Sequence, residues 1–365
     1  MKKALIAMSG GVDSSLAAKL MIDKGFNCIG CTMKLYHNED AGIERSRTCC
    51  SLDDVEDARS VAYKLSMPFY VFNFTREFRD TVIRKFVESY EKGITPNPCI
   101  DCNRYMKFDK LYERAKILGC DYIVTGHYAR IEESDGKFLL KKALDETKDQ
   151  SYVLYSMTQQ QLAHTMFPLG NMRKSEVRAI AEQNGFINAD KPDSQDICFV
   201  PNGNYASVIE LQTGKQPAQG NFVDKRGNVL GIHNGVIHYT IGQRKGLGIS
   251  SSQPMYVCEI CPKSGNVVLG SNDDLFSAEA DVSDFNWISG SVPKVKFRCK
   301  AKIRYRQVEQ WATVIPTGAD TVHIVFDEPQ RAITPGQAAV LYDGDIVLGG
   351  GTIGKGWVTN DCKSF

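Results

Sequence analysis

Along the first third of the chain, short apolar runs alternate with stretches whose apolar residues recur at helical spacing. Ala4 to Met8 reads as a strand, Ser14 to Lys24 as a helix and Cys28 to Leu35 as a second strand. A helix over Asp53 to Leu65, a third strand in PFYVFNF and an amphipathic helix over Glu77 to Glu91 continue the alternation. A helix over Phe108 to Leu118 follows, then a strand in DYIVTGHYARI that ends at Gly126. Adjacent parallel strands need a crossover long enough to hold a helix, so this order predicts an α/β fold with a doubly wound parallel sheet. Ligands of such sheets sit beyond the carboxyl ends of the strands. The stretch after Met8 and the pair Gly126-His127 both fall there.

The texture changes beyond about Pro201. PNGNYASVIELQTGKQPAQGNFVDKRGNVLGIHNG is rich in Gly, Asn and Gln, with only short strand-like pieces. From about Ala278 the pattern is strands and turns, as in KVKFRCKAKIRYRQ, TVHIVFDEP and QAAVLYDGDIVLGGGTI, which predicts a small terminal barrel or sandwich. Three units follow: residues 1–200, a small central unit over 201–277 and a β-rich unit over 278–365.

Composition narrows the classes. With 42% hydrophobic and 24% charged residues, the chain reads as an ordinary water-soluble protein. A net charge of +1 means that any polyanion-binding surface must be local. Twelve irregularly spaced cysteines in a chain this long argue for reduced thiols rather than a disulfide scaffold. MKKALIAM is too short an apolar segment for a signal peptide, and no run approaches the ~18 apolar residues of a membrane span. A cytoplasmic protein is expected.

The stretch SGGVDSS, Ser9 to Ser15, lies between the first strand and the first helix. A helix that starts after a glycine turn presents unpaired N–H groups and the positive end of its dipole, which suit phosphate. Gly10 and Gly11 let the backbone approach an anion, and Ser9, Ser14 and Ser15 can donate hydrogen bonds. No lysine follows Gly11, so this is not a Walker-type loop. Asp13 would repel phosphate unless Mg²⁺ lay between them, which predicts metal-bound nucleotide near Asp13. The motif resembles the SGGxDS loop of enzymes that split ATP into AMP and pyrophosphate.

Three C-x-x-C pairs occur. Cys28/Cys31 and Cys258/Cys261 lie in strand-like runs, where residues three apart face opposite ways, so both pairs read as buried structural residues. Cys49-Cys50 carries no assignment. Cys99/Cys102 follows Pro96 and Pro98 at the mouth of a helix, where the helix terminus, Arg104 and Lys107 would favour a thiolate at Cys102. Cys198, in KPDSQDICFV, stands in a polar loop. Asp193 and Asp196 would raise the pKa of a thiol there, whereas a far more acidic persulfide would tolerate them. From the residues alone, structural and catalytic readings of Cys198 stay level.

KVKFRCKAKIRYRQ places Lys294, Lys296, Arg298, Lys300, Lys302, Arg304 and Arg306 at every second position. On a strand all would share one face, a stripe of roughly 40 Å if unbent. Like charges in register repel, so a polyanion such as a nucleic-acid backbone is the expected partner. TIGQRKGLGI (Arg244, Lys245) and NMRKSEVR (Arg173, Lys174) would extend that surface or be solvated loops.

With these residues in view, the chain resembles the tRNA-specific 2-thiouridylase family nearly end to end. The resemblance rests on AMSGGVDSS, TPNPCIDCNRYMKF, TGHYAR, KDQSYVLY, DSQDICFV, YTIGQRKGLG, IRYRQ and TPGQAAVLYDGD. It implies an N-terminal ATP-pyrophosphatase (PP-loop) domain, a small central domain and a C-terminal β-barrel. It further implies ATP-dependent thiolation of C2 of the wobble uridine in tRNA, with glutamate, glutamine and lysine tRNAs as partners, together with a sulfur-relay or cysteine desulfurase protein. By position it implies an ATP site of Ala7, Met8, Ser9, Gly10, Gly11, Val12, Asp13, Ser14, Met33 and Gly126. Cys102 is then the nucleophile and Cys198 the persulfide carrier, the two ending in a disulfide, with Asp13 on the metal or in catalysis. Asn97, Pro98 and Cys99 would meet the target base, and His127, Lys148, Asp149, Gln150, Arg304, Tyr305 and Gln337 would touch tRNA. One departure stands out: many relatives carry Asp where this chain has Cys99. Some tRNA thiolases hold an iron–sulfur cluster in this loop, so Cys99, Cys102 and Cys198 are alternatively cluster ligands. An amidase or ligase using the same loop, or a zinc-stapled RNA-binding protein, are the rival readings.

Overall fold

The computed structural model describes residues 1–37, 52–193, 197–200 and 203–354; Cys49, Cys50 and Asp196 lie outside them. Strands β1 (Lys3–Ala7), β2 (Asn27–Lys34), β3 (Phe69–Asn73) and β4 (Tyr122–Val124) are followed by a hairpin of β5 (Arg130–Ser134) and β6 (Lys137–Lys141), then by β7 (Thr165–Met166). The parallel sheet has the order β3-β2-β1-β4-β7. Strand order runs outward from β1 in both directions, so the switch point lies between β1 and β4. Ala4, Leu5 and Ile6 are fully buried because helices cover both faces of the sheet, which explains the unbroken apolar run. Leu5 enters one core with Ile29, Phe74, Phe78, Phe86 and Phe199, while Ala4 and Ile6 enter the other with Met8, Val12 and Phe186.

Helices α1 (Val12–Asp23) and α2 (Leu52–Lys64) match the expected periodicity. The run expected from Glu77 comprises Thr75–Phe78, a π turn over Arg79–Ile83, and Arg84–Glu91. The helix expected from Phe108 starts earlier, as Pro98–Asp101, Cys102–Lys110 with π spacing, and Leu111–Ile117. Asn97 caps it by accepting from the Cys99 N–H, and Pro98 occupies the first position, where its missing N–H has no cost.

Strands Gly220–Val223, Val229–His233, Tyr256–Cys261 and Asn266–Gly270 form one four-stranded sheet around Phe222, Val257 and Leu269. The last unit is a closed barrel. Its strands follow the order Phe276–Trp287, Val322–Arg331, Gln310–Pro316, Phe297–Lys302, Ala338–Asp343 and Ile346–Ile353, the last pairing back onto the first. Closure leaves these strands without edges. The hairpin β5–β6 joins the same sheet through Ile346↔Lys141, a link between the first unit and the barrel that no periodicity announced.

The basic stripe is shorter than expected. Only Phe297–Lys302 is strand, with Cys299, Ala301 and Ile303 buried, and the chain then turns over 304–307. Arg298 pairs with Asp327 through both guanidinium nitrogens at 2.6 Å, and Arg304 turns inward to the Ala332 carbonyl at 2.7 Å. The seven charges therefore do not form one register, because pairing and the turn divert them. Among the described residues no helix is long and apolar enough to cross a membrane.

Candidate functional site

The glycine loop leaves β1 still fastened to β2, with Met8 N donating to the Cys31 carbonyl at 2.7 Å and Thr32 Oγ1 to the Met8 carbonyl at 2.7 Å. Gly10 has φ +77°, and a Cβ there would lie 2.4 Å from the Asp54 carbonyl oxygen, so both conformation and space require glycine. Gly11 caps α1 without a side-chain hydrogen bond. Ser14 and Ser15 hydroxyls donate back to the Gly11 carbonyl at 3.0 and 3.1 Å, and Ser9 N donates to Ser14 Oγ at 3.2 Å. This leaves the first-turn N–H groups of α1 as anion donors at the switch point. Gly126, two residues past β4, sits so close that a Cβ would be 2.8 Å from both Asp13 C and Ser14 N. Met33, next to the last residue of β2, packs against the core that contains Leu5.

Asp13 is not an isolated anion. The Lys174 ammonium donates to its two oxygens at 2.8 and 2.7 Å, and the Tyr128 hydroxyl donates at 2.7 Å. Lys174 is buried and also pairs with Asp193 at 2.8 Å. Asp193 in turn pairs with Lys148 at 2.8 Å and Arg178 at 3.1 Å. Burial pushes the Asp193 carboxyl up, but hydrogen bonds from Lys148 and Lys174 outweigh it and bring the pKa down to about 2. Burial, then the neighbouring Asp13 charge, drives the Tyr128 phenol far above its ordinary value, so it stays a donor. The repulsion expected between Asp13 and phosphate is thus cancelled by a buried lysine. Magnesium does not fit at Asp13, whose oxygens already face an ammonium and a phenol. No group of three His, Cys, Asp or Glu among the described residues is arranged to hold a metal, and Cys99, Cys102 and Cys198 form no such group.

Cys99 is exposed in the first turn of the helix that starts at Pro98. Cys102 lies further along it and is half-buried, as is Cys198. Both pack against the same apolar cluster, which also holds Leu5, Ile29 and Phe78. Tyr36, just past β2, donates to the Cys198 carbonyl at 2.5 Å. Phe199 meets Phe78 and Phe86 edge-on, with ring centroids 5.6 and 5.2 Å apart. The cations expected beside Cys102 are otherwise engaged. Arg104 forks onto Asp284 of the barrel, and Lys107 contacts His127 Nε2 at 3.2 Å. Asp193, expected to burden Cys198, is neutralised by three cations. Cys28 and Cys31 are buried in β2, as their spacing suggested.

Several residues expected at tRNA also have partners within the protein. His127 is buried, its Nδ1 2.7 Å from Thr125 Oγ1; burial and then Lys107 keep its pKa well below ordinary, so the ring is neutral. Asp149 accepts from Ser151 N and Oγ at 3.2 and 2.7 Å, and Gln150 Oε1 accepts from Tyr128 N at 2.9 Å. Gln337 Nε2 donates to the Thr95 carbonyl at 2.9 Å, and Thr95 N donates to the Pro335 carbonyl at 3.0 Å. The barrel therefore holds the loop that leads into Asn97, Pro98 and Cys99. Burial, then the neighbouring Asp149 and Cys99, raise the Tyr305 phenol pKa. Lys174 was noted in the sequence only as part of a basic stretch; Asn188 and Lys191 carried no local signal.

The sequence profile of the tRNA methyl transferase HUP domain matches residues 2–202, that of the tRNA methyl transferase PRC-barrel domain residues 209–271, and that of the aminomethyltransferase beta-barrel domain residues 277–353. A tRNA-specific 2-thiouridylase MnmA of Clostridioides difficile is 51% identical over 97% of this chain and 98% of its own. One from Acetivibrio thermocellus is 50% identical over 96% of this chain and 99% of its own.

Proposed function

The chain belongs to the tRNA-specific 2-thiouridylase family, and from that premise we propose that it converts the wobble uridine of tRNA to 2-thiouridine at the expense of ATP. Supporting this reading, Cys102 and Cys198 pack against one apolar cluster that also takes in Leu5 of β1, the strand that leads into the Ser9–Ser14 loop. ATP phosphates bind the N–H groups that open α1, and any magnesium enters on those phosphates. A stacked base is out of reach, so the uridine is extruded toward Asn97, Pro98 and Cys99.

The uracil O2 attacks the α-phosphorus of ATP and expels pyrophosphate, which makes AMP the leaving group at C2. A donor protein has meanwhile loaded a persulfide on Cys198, and its terminal sulfur attacks C2 as AMP departs with the former O2. The Cys102 thiolate then attacks the Cys198 sulfur, so the C2-bound sulfur is freed as the thiocarbonyl. The resulting Cys102–Cys198 disulfide is reset by an external thiol reductant. His127, Lys148, Asp149 and Gln150 shape the wall behind the base, while Arg304, Tyr305 and Gln337 bring the barrel to it. Exposed Lys294, Lys296 and Arg306 meet tRNA phosphates.

Purified protein incubated with ATP, a persulfide donor and unmodified tRNA should form 2-thiouridine. Cys102→Ser and Cys198→Ser should each lower the rate by at least about 10³-fold while Cys198→Ser still releases pyrophosphate. Undiminished product from both variants refutes the assignment.

A further inference from the structure

The strip from Asn188 to Asp193, shortly before Cys198, is strapped at three points to the glycine loop and the residues around it. Asn188 Nδ2 donates to the Gly10 carbonyl at 2.8 Å and to Ser15 Oγ at 3.0 Å. Lys191 bridges Asp54 at 2.6 Å and Asp57 at 2.7 Å on α2, and it is the Asp54 backbone that excludes a Cβ from Gly10. Asp193 shares the Lys174 ammonium with Asp13. Asn188 Oδ1 is buried without a hydrogen-bond partner among the described residues, an arrangement that stability alone disfavours. Beyond Cys198, Phe199 is wedged against Phe78 and Phe86. Cys198 thus lies in the chain between an aromatic anchor and a strap that ends on the loop proposed to bind ATP.

We propose that Lys174, Asp193 and Asn188 are positioning residues through which nucleotide on the Ser9–Ser14 loop sets the placement of Cys198. The inference rests on the proposed role of that loop. A polyphosphate at the start of α1 lies beside Lys174 and competes with Asp13 and Asp193 for one ammonium. The strap then has two charge balances, with and without nucleotide, which is the differential interaction that coupling requires. Coupling is reciprocal in binding free energy, so a modification that shifts the placement of Cys198 also changes nucleotide affinity. Sulfur transfer would then wait for an ATP-loaded site, which prevents loss of the persulfide to water or stray thiols.

The test follows alkylation of Cys198 by N-ethylmaleimide in the full chain, read by peptide mass spectrometry, with and without a non-hydrolysable ATP analogue. Calorimetry measures analogue binding in parallel. The unaltered protein should bind the analogue and change its Cys198 rate by about fivefold or more. Lys174→Gln and Asp193→Asn should abolish the change, and Lys174→Arg should keep it. Asn188→Ala serves if Lys174→Gln fails to fold. Binding without a change at Cys198, or a change that persists in Lys174→Gln and Asp193→Asn, overturns the coupling alone. No binding by the unaltered chain overturns the ATP reading and the coupling with it.

Discussion

Replacing Gly126 by alanine tests whether the contact between β4 and α1 sets the nucleotide loop. The new methyl would lie 2.8 Å from Asp13 C and Ser14 N and 3.0 Å from Asp13 Cβ. Two of these three atoms are backbone, so no flexible side chain can swing aside. Non-bonded carbons rest at about 3.5–4.0 Å, so the elements must part by roughly 0.7–1 Å. Overpacking of this kind costs about 1–3 kcal/mol, and each kcal/mol lowers Tm by about 2–4 °C in a domain of this size. The displacement falls on the first turn of α1, where a shift of about 1 Å can cost about 10²-fold in rate. Gly126→Ala should therefore melt a few degrees lower, bind ATP more weakly by calorimetry and lose most thiolation. Gly354→Ala, whose methyl would be an ordinary 3.5 Å from the Asp281 carbonyl, is the control and should change none of these. A Gly126→Ala protein with unchanged ATP affinity and rate refutes the claim that this contact positions the loop, whatever its Tm.

Asp193 has a folded pKa of about 2 against an ordinary 3.8. Its stabilisation, about 2 kcal/mol, is complete above pH 3.8 and lost as pH falls to about 2. Urea titrations across that window should show a smaller acid loss for Asp193→Asn than for the unaltered chain. Phe199→Ala should cost about 3–5 kcal/mol by chemical denaturation, and at temperatures where it stays folded should slow sulfur transfer while leaving pyrophosphate release intact. Gln337→Ala removes the clamp on Thr95 and should lower thiolation kcat with the KM for ATP unchanged. Burial raises the thiols of Cys28 and Cys258 to about 11 and of Cys299 to about 12, so in the native protein maleimide should label exposed Cys99 well before these three.

Periodicity alone determined the parallel sheet, its first helices and the glycine turn at a strand end, because a buried strand and an amphipathic helix leave local signatures. The mouth of a helix at Cys99/Cys102 was equally local and readable from Pro96 and Pro98, although the helical run itself was expected from Phe108 and the Asn97 cap was not read. The barrel strand over Phe297–Lys302 was legible in its alternation, but not where it stops, since the turn after Ile303 is held by Arg304 reaching the distant Ala332 carbonyl. Nothing local could show that Lys174 would be buried between Asp13 and Asp193, that Asn188 would hold Gly10, or that Gln337 would clamp Thr95. Those partners are far apart in sequence and meet only when the sheet, the strap and the barrel close on one another. Tertiary packing therefore decided how the charge at Asp13 is balanced and how the two cysteines come to share one apolar cluster, because desolvation and ion pairing depend on neighbours that only the folded chain brings together.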